Sequence, residues 1–99
     1  IYSAGYDIGH TKYVTVFCNL IDILLGWNNI ACIHYNDSKC CVNSKKDRHA
    51  DIGKGNICID GLKKFFKICY EKGVPIVLET PCENNFTRID QIKLVKSFI

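Results

Sequence analysis

The sequence predicts an α/β fold in which three helices alternate with two parallel strands, in the order helix, strand, helix, strand, helix. Three observations predict it. Two continuously apolar runs, IACI at 30–33 and VPIVL at 74–78, are too short for helices and fit strands buried on both faces. Three other stretches carry apolar residues at helical spacing. One of these separates the two strands, and a strand–helix–strand passage within one sheet is a right-handed crossover between parallel strands.

The first helix covers residues 13–25, with Phe17, Leu20, Ile21, Leu24 and Leu25 on its apolar stripe. Thr11 is placed to cap its start, and Gly26 sits where a helix commonly ends. A turn, Trp27-Asn28-Asn29, leads into the first strand, which ends at His34. Residues 35–56 form a long loop, in which Gly53 and Gly55 read as backbone punctuation. The second helix spans about 60–72, with Leu62, Phe65, Phe66 and Cys69 on one face and Lys72-Gly73 at its basic C-terminal end. The second strand follows and stops at Glu79; Pro75 is tolerated near its start. A last helix, about 88–98, carries Ile89, Ile92, Leu94 or Val95, with Ile99 just beyond.

Two parallel strands alone leave both sheet edges open and one face without helices. Their natural setting is a larger α/β sheet or a (β/α)8 barrel of about 250 residues. The chain contains no Met, which accords with a processed product or a piece of something longer. We therefore read residues 1–99 as a single partial domain. With 47% apolar residues the chain can build a core, and no run of eighteen apolar residues offers a membrane span. The stretch IYSAGYDIGH has neither the charged nor the apolar region expected of a signal peptide, and is not expected to be one. A net charge of +3 is too small to argue for nucleic acid by itself. The seven Cys are odd in number and contain no C-x-x-C, which excludes zinc-finger and thioredoxin-like spacings and argues against a fully paired disulfide framework. Cys18, Cys32 and Cys69 fall on apolar faces, as small hydrophobes do. The expectation is a reducing, intracellular setting, cytoplasmic or nuclear, with an organelle or a virion left open.

Chemistry concentrates in residues 33–49, IHYNDSKCCVNSKKDRH. This segment holds two of the three His, two carboxylates, and Lys39, Lys45, Lys46 and Arg48. His34 and Glu79 each terminate a parallel strand, the end at which barrel enzymes gather their reactive groups. Neighbouring strands lie about 4.8 Å apart, so side chains at matched ends can share one ion. Asp47 and His49, two apart, point to one side of an extended backbone. A His and carboxylate mixture suits zinc, with manganese or iron as alternatives. Asn36, Asp37 and Ser38 are candidates to orient the His34 imidazole by hydrogen bonding, or to form an Asx turn that ends the strand. On the residues alone, the alternatives stay open. His34 also reads as a structural His, Glu79 as a cap or a partner for Lys, Asp47-Arg48-His49 as a local ion pair, and the basic run as a solvated loop.

The same segment resembles a signature of the endonuclease IV family of abasic-site endonucleases: apolar-His-x-Asn-Asp-Ser-Lys, a gap, Asn/Gly-Ser, two residues, Asp-Arg-His. AGYDI near the start, IGKGNI after the loop and VPIVLETP at the second strand resemble further family motifs in family order, so the likeness spans residues 4–81. It implies the C-terminal part of a TIM barrel holding three zinc ions through nine ligands. His34 and Glu79 would bind one ion of the close pair, and Asp47 and His49 the third. The remaining five ligands belong to earlier strands and are absent here. Tyr35 stands where an apolar residue is common, and points opposite to His34 on an extended chain. The resemblance implies hydrolysis of the phosphodiester 5′ to an abasic site, leaving a 3′-hydroxyl, by a monomeric enzyme whose partner is duplex DNA. The abasic sugar would be extruded into the site, at a cost reduced by its lost stacking. Lys45, Lys46 and above all Arg48 would hold DNA phosphates. The isolated 99 residues are expected to be inactive and loosely packed. The competing enzyme class is a metal-dependent sugar isomerase or epimerase on a related barrel, in which nothing requires Asp-Arg-His beside a basic patch.

Overall fold

In the computed structural model, which describes residues 6–46 and 48–99, the five predicted elements occur in the predicted order. Helix α1 (Thr11–Leu24) turns Val14, Cys18 and Ile21 inward, an i, i+4, i+7 stripe. That stripe is rotated from the predicted one: Phe17 is partly buried, while Leu20, Leu24 and Leu25 are exposed. Thr11 is helical rather than the cap; His10 holds that position without a side-chain bond. Gly26 ends the helix with φ of 75°, a conformation that favours glycine, and its N–H donates to the Ile21 carbonyl. A single 3-10 turn, Trp27–Asn29, buries Trp27 and leads to strand β1 (Ile33–Tyr35).

Strand β1 pairs in parallel with β4 (Ile76–Leu78), with His34 opposite Val77 and Tyr35 opposite Leu78. Strand β4 lies within its predicted run, but β1 is displaced from the predicted 30–33: only Ile33 is shared, and His34 is its central residue rather than the one that ends it. Ile33, Tyr35, Ile76 and Leu78 share the face that packs on the core. His34, Val77 and Glu79 share the other face, which is exposed. The expectation of strands buried on both faces is thus corrected: helices cover this two-stranded sheet from one side only. Tyr35 lies opposite to His34 as expected. It is buried against Phe66, and its hydroxyl donates to the Leu62 carbonyl at 2.6 Å.

Helix α2 (Ile59–Glu71) buries Gly61, Leu62, Phe65, Phe66 and Cys69 and packs against α1. Gly61 is required there, because a Cβ would collide with the backbone of Ile8 and Gly9. Lys72 caps the helix and Gly73 follows at φ of 71°, so the predicted basic last turn reduces to that cap. Helix α3 (Arg88–Lys96) starts with a capping box between Thr87 and Asp90. Its buried residues are Gln91 and Val95, whereas Ile89 and Ile92, predicted to face the core, are exposed. A polar residue displaces the apolar stripe because, as shown below, Gln91 has four hydrogen-bond partners.

The segment read as one long loop contains an antiparallel ladder. Strand β2 (Asp37–Ser38) pairs with β3 (His49–Ala50), Asp37 opposite Ala50 and Ser38 opposite His49. All seven Cys are free thiols; Cys18 and Cys69 are buried, but Cys32, expected on an apolar face, is exposed. Among the described residues no helix is long and apolar enough to cross a membrane.

Candidate metal centre

The register of β1 and β4 determines what their C-terminal ends can do. His34 is paired with Val77, so Glu79, two residues further on, points to the same face as His34. The imidazole Nδ1 lies 3.1 Å from Glu79 Oε2, and both side chains are about half exposed. The ladder between β2 and β3 then folds the distant His49 back onto the same carboxylate. Its Nδ1 lies 4.0 Å from Glu79 Oε2 and 2.8 Å from the Glu79 carbonyl oxygen. A carbonyl only accepts, so Nδ1 of His49 donates to it. A carbonyl partner on one ring nitrogen is a common way in which a ligand imidazole is oriented.

The donor set can be tested against a zinc ion by geometry. Two ligands about 2.0–2.1 Å from one ion, at a tetrahedral angle, lie about 3.3 Å apart. The His34–Glu79 separation of 3.1 Å agrees with that spacing. The chemistry agrees too, being imidazole nitrogen and carboxylate oxygen open to solvent. Among the described residues no three His, Cys, Asp or Glu side chains form a ready cage. Asp47 lies outside the described residues. His34 and Glu79 are the described pair whose spacing fits one shared ion, and His49, with its Nδ1 4.0 Å from the Glu79 carboxylate, stands beside that pair without completing a group of three.

Asn36, Asp37 and Ser38 do not orient His34. The Asn36 side chain donates to the Asp37 carbonyl, and the Ser38 hydroxyl donates to the Cys40 carbonyl and accepts from its N–H. Asp37, fully buried, accepts N–H bonds from Ser38, Gly53, Gly55 and Ile57, at 2.8 to 3.1 Å. A carboxylate saturated by backbone donors organises a loop. Here it draws residues 53–57 against β2, and Gly55 approaches so closely that a Cβ would meet the Asp37 carboxylate at 2.5 Å. The Asx-turn alternative is closer to what is found. Lys45, Lys46 and Arg48 are exposed, with Lys45 in the left-handed region at φ of 59°. The Arg48 carbonyl accepts from Lys39 N–H at 2.9 Å, which anchors its backbone beside β3 and leaves the guanidinium toward solvent.

Two polar residues near the centre escape a reading of the sequence. Asp51 and Gln91, both buried, meet beneath the loop that follows Glu79. Their only signal is a Gln within an otherwise apolar helical face, with a partner forty residues away.

Fold and site together define a portion of a parallel α/β barrel with His and carboxylate groups gathered at the C-terminal ends of its strands. Known proteins make the assignment specific. No family model matches the chain. The "Probable endonuclease 4" of Haloquadratum walsbyi is 39% identical over 84 residues, covering 85% of this chain and 30% of that protein. The protein of the same name from Thermosipho africanus is 40% identical over 95 residues, or 96% of this chain and 34% of its own length. The apurinic-apyrimidinic endonuclease 1 of Saccharomyces cerevisiae is 35% identical over 95 residues, 26% of its length. The crystal structure of endonuclease IV from Thermus thermophilus superposes with a TM-score of 0.81 at 27% identity, over 98% of this chain and 35% of that one. The chain belongs to the endonuclease IV family and spans about a quarter to a third of the length of these relatives.

Proposed function

We propose that the chain is the C-terminal part of a zinc-dependent DNA-repair endonuclease that hydrolyses the phosphodiester 5′ to abasic sites in duplex DNA. The observation that carries this reading is the convergence of His34 and His49 on Glu79 at the ends of parallel strands, in a chain related to endonuclease IV. His34 and Glu79 would hold one ion, and His49 with Asp47 would hold another. Bound there, zinc supplies Lewis-acid polarisation of the phosphate and a water acidified toward neutral pH. The protein's part is positional. Glu79 presents its carboxylate to His34 while its carbonyl fixes the ring of His49. Arg48, adjacent to His49 and exposed, contributes a phosphate contact together with Lys45 and Lys46. Such contacts set register on the duplex without reading its sequence, which suits a lesion that has no base.

Three zinc ions in the complete enzyme and action as a monomer belong to the same proposal. So does an intracellular setting, in which the seven free thiols remain reduced. The test is incubation of a duplex oligonucleotide bearing one abasic site with the full-length parent chain, before and after chelation and zinc re-addition. A zinc-restored 3′-hydroxyl end 5′ to the lesion is expected. An intact duplex under all of these conditions overturns the reading. The 99 residues alone, with four of the ligands, are expected to leave the duplex uncut.

A further inference from the structure

A buried polar clamp joins the chain just after His49 to the chain just after Glu79. Asp51, only 3% exposed, accepts from Cys82 N–H on Oδ1 and from Glu83 N–H on Oδ2, both at 2.7 Å. Its Oδ1 also accepts from Gln91 Nε2 at 3.0 Å. Gln91, fully buried on α3, accepts from Ile52 N–H at 3.1 Å and donates further to the Phe86 carbonyl at 3.0 Å and to Cys82 Sγ at 3.7 Å. One carboxamide thus ties residues 51–52 to residues 82–86.

We infer that Asp51 and Gln91 are positioning residues for the candidate metal centre, fixing the separation between His49 and Glu79. The inference rests on the metal-site reading given above. Burying a carboxylate is costly, and an apolar residue of similar volume would serve stability at least as well. No ion pair to a described residue offsets that cost for Asp51; directed N–H bonds do. Those bonds begin two residues after one candidate ligand and end three and four residues after the other. They run alongside the direct bond from His49 to the Glu79 carbonyl. Their hydrogen bonds run to backbone groups, to each other and to Cys82 Sγ, so both act through the backbone. A ligand set has to be held to within about 0.5 Å of its working geometry, and packing of the two short loops alone does not supply that.

The experiment titrates the full-length parent chain with Co²⁺, following ligand-field absorption. Amide exchange and far-UV circular dichroism are read on the same samples. Asp51→Leu is expected to speed exchange at Cys82 and Glu83, leave helix α2 protected, and weaken Co²⁺ binding about tenfold or more. Asp51→Asn, which keeps one accepting oxygen, is expected to fall between, and it decides the matter if Asp51→Leu loses its helical signal. Faster exchange at Cys82 and Glu83 with unchanged Co²⁺ affinity overturns the positioning role. If the unsubstituted chain takes up no Co²⁺, the metal-site reading itself falls and this inference with it. The exchange data then still report separately whether the clamp exists.

Discussion

His34 Nδ1 stands 3.1 Å from Glu79 Oε2, although His34 lies within β1 and Glu79, just past the end of β4, is two positions beyond Val77, the direct partner of His34. Parity explains it: Glu79 follows Val77 on the face that His34 occupies. If this pair is half of a metal site, Glu79→Ala should weaken Zn²⁺ or Co²⁺ binding by more than the roughly 10–100-fold that losing a mere orienting partner costs. Competition against a chromophoric chelator measures this. The helical circular dichroism should stay unchanged, because the Glu79 side chain packs on nothing in the core.

Arg48→Ala should leave metal content and fold intact while weakening binding of the full-length parent to abasic duplex. One lost phosphate contact reduces the slope of log K against log salt by about 0.9. Affinities measured across a salt series test this, and an unchanged slope removes Arg48 from the DNA surface.

Asp37→Ala should be the most damaging substitution outside the apolar core. It strands four backbone N–H groups that now share one buried carboxylate. Buried donors left unpaired cost about 1–3 kcal/mol each, and partial access to water reduces the sum, so a loss of about 3 kcal/mol or more is expected. Urea unfolding gives the number, and residues 53–57 should lose exchange protection first.

Burial raises the thiol of Cys69 to about 12, with the neighbouring Cys18 adding to the effect. The Cys18 thiol is also raised by burial, against the lowering influence of Lys64 and Lys72. A thiol whose folded pKa lies above its unfolded value holds its proton longer in the native state. Its contribution is therefore fully present below about pH 8.5–9, where unfolded thiols titrate, and is lost as pH climbs toward 12. Denaturant midpoints should be flat in this respect up to about pH 8.5 and fall above it. Replacing Cys69 by Ala should flatten that fall. Alkylation near pH 8 should mark Cys32, Cys41 and Cys58, which are exposed, well before Cys18 and Cys69.

What the sequence disclosed was whatever depends on neighbours in the chain. Helical spacing located α1, α2 and α3 to within a few residues, and the second apolar run located β4 with Glu79 just after it, whereas β1 lies further along the chain than its run, sharing only Ile33 with it and carrying His34 at its centre. What it hid depends on partners far away. Leu20, Leu24 and Leu25 satisfied the apolar pattern of α1 as well as Val14, Cys18 and Ile21 do, and only packing against α2 chose between them. Strands β2 and β3 are two residues each, too short for any period to appear, and they lie where Asp37 draws residues 53–57, the chain just after β3, back against β2. Gln91 reads as the wrong residue for a core helix until Asp51 is beside it. The candidate site was legible as a group of residue types at strand ends; the clamp around it was not, since a side chain's preference for a distant backbone amide leaves no local trace.

Glu79 addresses its two histidines through different parts of itself, His34 by the carboxylate and His49 by the main-chain carbonyl. Mutagenesis reaches only the first of these. A side-chain replacement at 79 can therefore silence one half of the centre while the other keeps its anchor, so the two halves can be assayed one at a time. The carbonyl link answers only to a change of backbone, such as an ester in place of the peptide bond after Glu79, which makes that carbonyl a weaker acceptor.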